Sequence, residues 1–431
     1  MPRIRVLIAD DSAVMRRLIA EALSSDPELE VVGSAPNGRI ACAKVPLLNP
    51  DVVTLDVEMP EMDGLQTLAA LHKSHPRLPI LMFSSQTERG ASITLEALFR
   101  GASDYATKPA GTGDLGASLQ CLRQELAPKI KALHARHHHE PGGPAAPASR
   151  PENAGLRLDA PLHPHPPATP GEPQVVAIGV STGGPNALAE LLPALPATFP
   201  VPVVIVQHMP PIFTRLLADR LSHLSALPVR EAVNGYPLQP GQAWIAPGDY
   251  HLEVLAPAPG DLRLRTHQGP PEQSCRPSVD VLFRSVAHAC GPGGLAIVLT
   301  GMGHDGLNGC RLIKAAGGQV LVQDAATSVV WGMPGAVAKA ALAERIVPLG
   351  QLAQEITRRV RRGGGPRPAE PGLPRAGNPA AAVSRQEPSP SRPPGLPPLT
   401  TTARDLSSRT ETGCHTGSGI RSGTPGPDHA S

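Results

Sequence analysis

A chain of 431 residues with 41% hydrophobic side chains is long enough for two or three buried cores, which 2% aromatic content requires to be aliphatic. Its formal net charge of +2 argues against a nucleic-acid or anionic-membrane partner, and no apolar run approaches the length of a bilayer span. The apolar stretch in MPRIRVLIADDS is too brief for a signal peptide, and the six cysteines (Cys42, Cys121, Cys275, Cys290, Cys310, Cys414) form no CxxC pair, so a reducing, cytoplasmic compartment is expected.

Residues 1–130 read as one α/β domain, with apolar runs at Arg5–Ala9, Val52–Asp56 and Ile80–Ser84 separated by helix-like segments. Continuous apolar strands alternating with helices imply a parallel sheet buried on both faces. Asp10 and Asp11 follow the first run, Asp56 ends the second, Ser84 ends the third, and Lys108 precedes Pro109 in DYATKPA. In a doubly wound sheet the carboxyl ends of neighbouring strands converge on one crevice. Three carboxylates there call for a hard cation such as Mg²⁺, and a lysine with a hydroxyl beside them suits an aspartyl phosphate.

Residues 134–173, including HARHHHEPGGPAAP, are rich in proline and histidine and read as an extended linker, with His137–His139 a solvated run. From 174 to 362 the βα alternation resumes through VVAIGV, PVVIVQH and LAIVLTG. The first of these opens onto GVSTGGP, a glycine turn with Pro185 entering a helix. Serine stands where a dinucleotide loop needs its second glycine, so the turn fits G-x-S-x-G. The next strand ends in Gln207-His208, where a ribose site would want an acid. Asp305 follows the strand expected at Leu295–Thr300. Ser181, His208 and Asp305 thus share one rim. Serine needs an imidazole to take its proton, and the imidazole needs a carboxylate to fix its tautomer. The Thr182 amide is free to bind an oxyanion at the helix N-terminus. His304 is peripheral to this set, and Arg358, Arg359, Arg361 and Arg362 decorate a helix C-terminus. Residues 363–431 are rich in Pro, Ser, Thr and Gly and are expected to be disordered.

IADDS, TLDVEMPEMDG, Ser84-Ser85 and TKPA resemble the receiver domain of two-component response regulators. The resemblance implies a flavodoxin-like fold with Asp56 as phosphoacceptor. Asp10, Asp11, Asp56 and the Glu58 backbone carbonyl would hold Mg²⁺. Ser84, Tyr105 and Lys108 would be the switch residues, with a cis Lys108–Pro109 bond. IGVSTGGP, VQHMP, CRPSVDVLF, LTGMGHDG and GQVLVQDAATSVVWGMPGAV resemble the chemotaxis protein-glutamate methylesterase (CheB) family. That resemblance implies a Rossmann-like catalytic domain that hydrolyses glutamyl methyl esters and deamidates glutamines on chemoreceptors. Ser181 would be its nucleophile, His208 its base and Asp305 the orienting carboxylate. Thr182 and Met302 would line the oxyanion region, and hydrolysis would need no cofactor. Methylated chemoreceptors, a chemotaxis histidine kinase as phosphodonor and a monomeric state are expected. The alternative is a response regulator with a non-catalytic binding output; a DNA-binding output would need a basic recognition helix.

Overall fold

The computed structural model describes residues 2–109, 115–138 and 171–361. The first domain runs β1 (Ile4–Ala9), α1 (Ala13–Ser24), β2 (Leu29–Ala35), α2 (Gly38–Leu48), β3 (Val52–Asp56), α3 (Gly64–Ser74), β4 (Ile80–Ser84), α4 (Glu88–Phe99), β5 (Asp104–Thr107) and α5 (Leu115–His138). Its five strands are all parallel, in the order β2-β1-β3-β4-β5. Every residue of β3, β4 and β5 is buried, as strands covered by helices on both faces must be. Side chains close the helix starts here: Ser12, Asn37 and Thr87 accept from backbone amides, and Asp63 with Gln66 forms a capping box on α3.

The second domain runs β6 (Val175–Val180), α6 (Gly184–Leu191), β7 (Val203–Gln207), α7 (Pro211–Leu224), β8 (Val229–Glu231), β9 (Ala243–Ile245), β10 (His251–Ala258), β11 (Asp261–His267), α8 (Val279–Cys290), β12 (Gly294–Val298), α9 (Leu307–Ala315), β13 (Gln319–Gln323), α10 (Met333–Lys339), β14 (Arg345–Val347) and α11 (Leu349–Arg361). A seven-stranded parallel sheet, β14-β13-β12-β6-β7-β9-β8, carries an antiparallel β10–β11 hairpin beside it. Both domains are therefore doubly wound parallel α/β structures. No helix among the described residues is long and apolar enough to cross a membrane.

Three expectations need correction. Helix α5 runs on to His138, past the boundary expected at 130 and into the stretch read as linker from 134. Leu119, Leu122, Leu126, Ile130 and Leu133 keep a buried stripe at helical spacing, which carries the helix through Pro128. Strand β12 stops at Val298, two residues short of Thr300. Beyond it, Thr300 is held by side-chain bonds: its amide donates to Gln323 Oε1 (2.8 Å) and its hydroxyl to the Thr182 carbonyl (2.9 Å). The Lys108–Pro109 bond is not cis; among the described residues only Arg276–Pro277 is, and the trans form is the one intrinsically favoured before proline. The rest of the expected linker, 139–170, and the tail, 363–431, lie outside the described residues.

Candidate functional site

In the first domain the ends of β1, β3 and β4 meet as the topology requires. Lys108 Nζ lies 2.8 Å from Asp56 Oδ2 and 3.1 Å from Asp10 Oδ2. Asp10, Asp11 and Asp56 offer carboxylate oxygens within 4.8 Å of one another. Asp10 Oδ2 and Asp56 Oδ2 are buried with only the Lys108 ammonium beside them, a pair of anionic oxygens that a hard divalent cation fits. Burial pushes the Asp56 carboxyl up to about 6, against the bond from Lys108 and with help from the Asp10 charge. Burial likewise raises Asp10, while Lys108 is lowered by burial but carried above its ordinary value by the two carboxylates. Ser84 is fully buried, its hydroxyl donating to the Ser85 carbonyl at 3.2 Å. Glu58 is exposed; its amide donates to Asp56 Oδ1 at 3.4 Å and its carboxylate pairs with Arg89.

Tyr105 points away from this cluster and into the second domain. Its ring stacks on Phe213 of α7, centroids 4.8 Å apart at 15°. Alongside, Arg215 donates to Glu88 at 2.7 Å and the Arg220 guanidinium lies 5.3 Å from the Phe99 ring centroid. Helix α4 packs on both α6 and α7.

In the second domain, register pairs Val180 with Gln207, so Ser181 and His208 are the next residues on adjacent strands. Asp305 comes from the loop after β12, on the other side of β6. His208 Nε2 donates to Asp305 Oδ2 at 2.8 Å. Asp305 is buried and takes four further bonds: from Ser278 Oγ, from the amides of Val279 and Asp280 at the start of α8, and from Gly306. Burial opposes its ionised form, but the His208 bond, the imidazole's charge and these amides hold its carboxyl below the ordinary range. Burial would depress His208, yet Asp305 and Cys275 carry it above its ordinary value.

Ser181 caps nothing. The N-cap of α6 is Gly183 at φ 76°, with no side-chain cap bond, and that of α9 is Gly306 at φ 92°, also uncapped. The amides at the start of α6 thus have no side-chain oxygen on them, as an anion-binding turn requires. Gly301 lets the β12 loop approach: a Cβ there would stand 2.9 Å from Ser181 Cβ. Met302 follows, half-buried, and Thr182 is buried with its carbonyl bonded to Thr300. Among the described residues no hydrogen bond joins Ser181 Oγ to His208; the free nitrogen, Nδ1, instead accepts from Cys275 Sγ at 3.8 Å.

Cys275, Ser278, Asp280 and Phe213 were not singled out by sequence reasoning. CRPSVD lies in a loop and a helix start, with no strand end to mark it, and its contacts to His208 and Asp305 span 67 and 27 residues. Phe213 reads in the sequence as an ordinary core position.

Residues 176–356 match the CheB methylesterase family and residues 6–120 the response regulator receiver domain. The chain is 54% identical over 364 residues to a protein-glutamate methylesterase/protein-glutamine glutaminase of a Nocardioides species, spanning 84% of this chain and 97% of that protein. A protein of the same name from Trichodesmium erythraeum is 50% identical over 363 residues, spanning 84% of this chain and all (100%) of the other. The crystal structure of the Thermotoga maritima CheB methylesterase catalytic domain is 39% identical, covering 43% of this chain and 98% of that one, with a TM-score of 0.42.

Proposed function

This chain belongs to the CheB methylesterase family, with a receiver domain ahead of the catalytic one, and we propose that it hydrolyses glutamyl methyl esters, and deamidates glutamines, on chemoreceptors in the cytoplasm under control of Asp56 phosphorylation by a chemotaxis histidine kinase. The observation that carries the reading is the Asp305–His208 bond on the strand rim beside the uncapped turn at Ser181. Asp305 fixes the tautomer with the proton on Nε2, leaving the Nδ1 lone pair to take the Ser181 proton. Ser181 Oγ attacks the ester carbonyl, and the Thr182 amide and the Met302 region stabilise the oxyanion. His208 then returns its proton to the departing methanol or ammonia, and water repeats the sequence on the acyl-enzyme. The open Ser181–His208 contact matches free enzymes, where catalytic hydrogen bonds tighten only with substrate bound.

On the receiver, Asp10, Asp11 and Asp56 would hold Mg²⁺, which when bound supplies charge neutralisation for phosphoryl transfer. Lys108 would contact the phosphoryl oxygens, and Ser84 and Tyr105 would respond to them. Tyr105 stacks on Phe213, and His208 precedes the helix carrying Phe213, so a receiver change would reach the catalytic rim through α7.

The test is methanol release from a methylated receptor, with and without acetyl phosphate. Ser181→Ala is expected to lower the rate by about 10³-fold or more. Equal rates for the two proteins would sink the catalytic reading.

A further inference from the structure

His208 has one nitrogen committed and one presented. Asp305 holds Nε2–H, and with five donors on its two oxygens it has no lone pair left to offer elsewhere. A histidine whose far N–H is held by a carboxylate is also the arrangement that tunes a metal-ligating imidazole. Nδ1 faces Cys275 Sγ across 3.8 Å. Two ligands on one tetrahedral zinc, at ordinary Zn–N and Zn–S lengths, stand about 3.6 Å apart. His208, Cys275 and Asp305 place ligand-type atoms within 4.8 Å of one another.

The thiol is held in place by a built loop. Glu272 and Cys275 exchange backbone hydrogen bonds at 3.1 and 2.8 Å, closing a turn whose two central residues, Gln273 and Ser274, sit at φ 54° and 62°. Two consecutive non-glycine residues in the left-handed region are sparsely populated and persist only where surroundings impose them. Here the surroundings are ion pairs on each side: Arg284 grips both Glu272 oxygens (3.1 and 2.6 Å), and Arg276 binds Asp249 at 2.9 Å and the Gly269 carbonyl at 3.0 Å. Cys275 and His208 are half-buried, and Gln273 and Ser274 are exposed, so the pair is reached from solvent.

We propose that His208 Nδ1 and Cys275 Sγ form an inhibitory binding site for Zn²⁺, with water completing the coordination. Binding replaces two hydrating waters by a Zn–N and a Zn–S bond and releases the Cys275 thiol proton to solvent. The Nδ1 lone pair is then occupied and takes no proton from Ser181. That the ion silences hydrolysis rests on His208 being the base; that it binds does not.

The test uses the full-length, chelator-treated protein with Zn²⁺ or Co²⁺ alone as probe. Zn²⁺ is expected to suppress wild-type methanol release, with recovery on chelation. With each protein's rate taken relative to its own metal-free value, Cys275→Ala needs about 10-fold more Zn²⁺, or beyond, for the same fractional suppression. Co²⁺ gives wild type a near-ultraviolet thiolate-to-metal absorption that Cys275→Ala lacks. Equal Zn²⁺ sensitivity of the two proteins, or no cobalt–thiolate band, overturns the site. If metal-free wild type releases no methanol, the catalytic reading fails while the cobalt spectrum still decides the binding. Should Cys275→Ala fold poorly, Cys275→Ser, of similar volume, is read by the same spectrum.

Discussion

Asp305 is the most heavily bonded side chain of the catalytic rim, and its ionised state rests first on His208 and then on the amides at the start of α8. Replacing it by Asn keeps the shape but removes the charge that stabilises the imidazolium. Methanol release from Asp305→Asn should fall by about 10³–10⁴-fold. The carboxylate raises the His208 pKa and the base must be neutral, so the acid limb of the rate profile moves to lower pH in the variant. An unmoved limb would argue against His208 as the titrating base. Asp56 carries the opposite kind of shift. Its folded value of about 6 lies above the ordinary 3.8, so stability present with the carboxyl neutral is lost as pH rises through 6. In chelator-treated protein Asp56→Asn should therefore melt several degrees higher than wild type at pH 8, a gain on the order of 2–3 kcal/mol, and the two should converge near pH 4. Thermal melts at both pH values check this.

At the scale of elements, the two domains start their helices differently, and the difference follows their chemistry. Receiver helices α1 to α4 are closed by side-chain caps, whereas α6 and α9 on the catalytic rim begin at left-handed glycines. At Gly183 a Cβ would also meet Val329 Cγ2 at 2.4 Å. Gly183→Ala should cost about 1–3 kcal/mol, read as a lower urea midpoint, and should depress esterase activity by displacing the Ser181 turn. A variant of unchanged midpoint and rate would show that the turn tolerates a side chain. Helix α5 illustrates the opposite case, where a continuous buried stripe carries a helix through an internal proline.

For the molecule as a whole, the receiver meets the catalytic domain through α4 and Tyr105 on one side and α6 and α7 on the other. Val329, which overlies the Gly183 turn, also packs against the receiver core. The Glu88–Arg215 pair at the edge of this contact is solvent-exposed, so water and salt screen it and its contribution is small. Removing it with Glu88→Ala should raise the rate of the unphosphorylated enzyme by about 1.5- to 5-fold while leaving the acetyl-phosphate-stimulated rate unchanged. An equal rise in both rates would place the effect outside the regulatory equilibrium.

Strand ends made much of this protein legible from its residues. Apolar runs fix where a parallel strand lies, and the residue after each run falls on the same rim, so Asp10, Asp56, Ser181 and His208 could be located before any coordinates. Resemblance added the receiver roles and the ester chemistry. Local pattern carries no information about which nitrogen of His208 faces which partner, because Cys275 and Ser278 reach the site from a loop between the β10–β11 hairpin and α8. Nor does it carry the pairing of Tyr105 with Phe213, since two buried aromatic residues in separate domains read alike as core. Period and composition act over a turn or a strand, whereas these contacts are set by how two sheets and their connecting loops pack, and only the tertiary structure decides them.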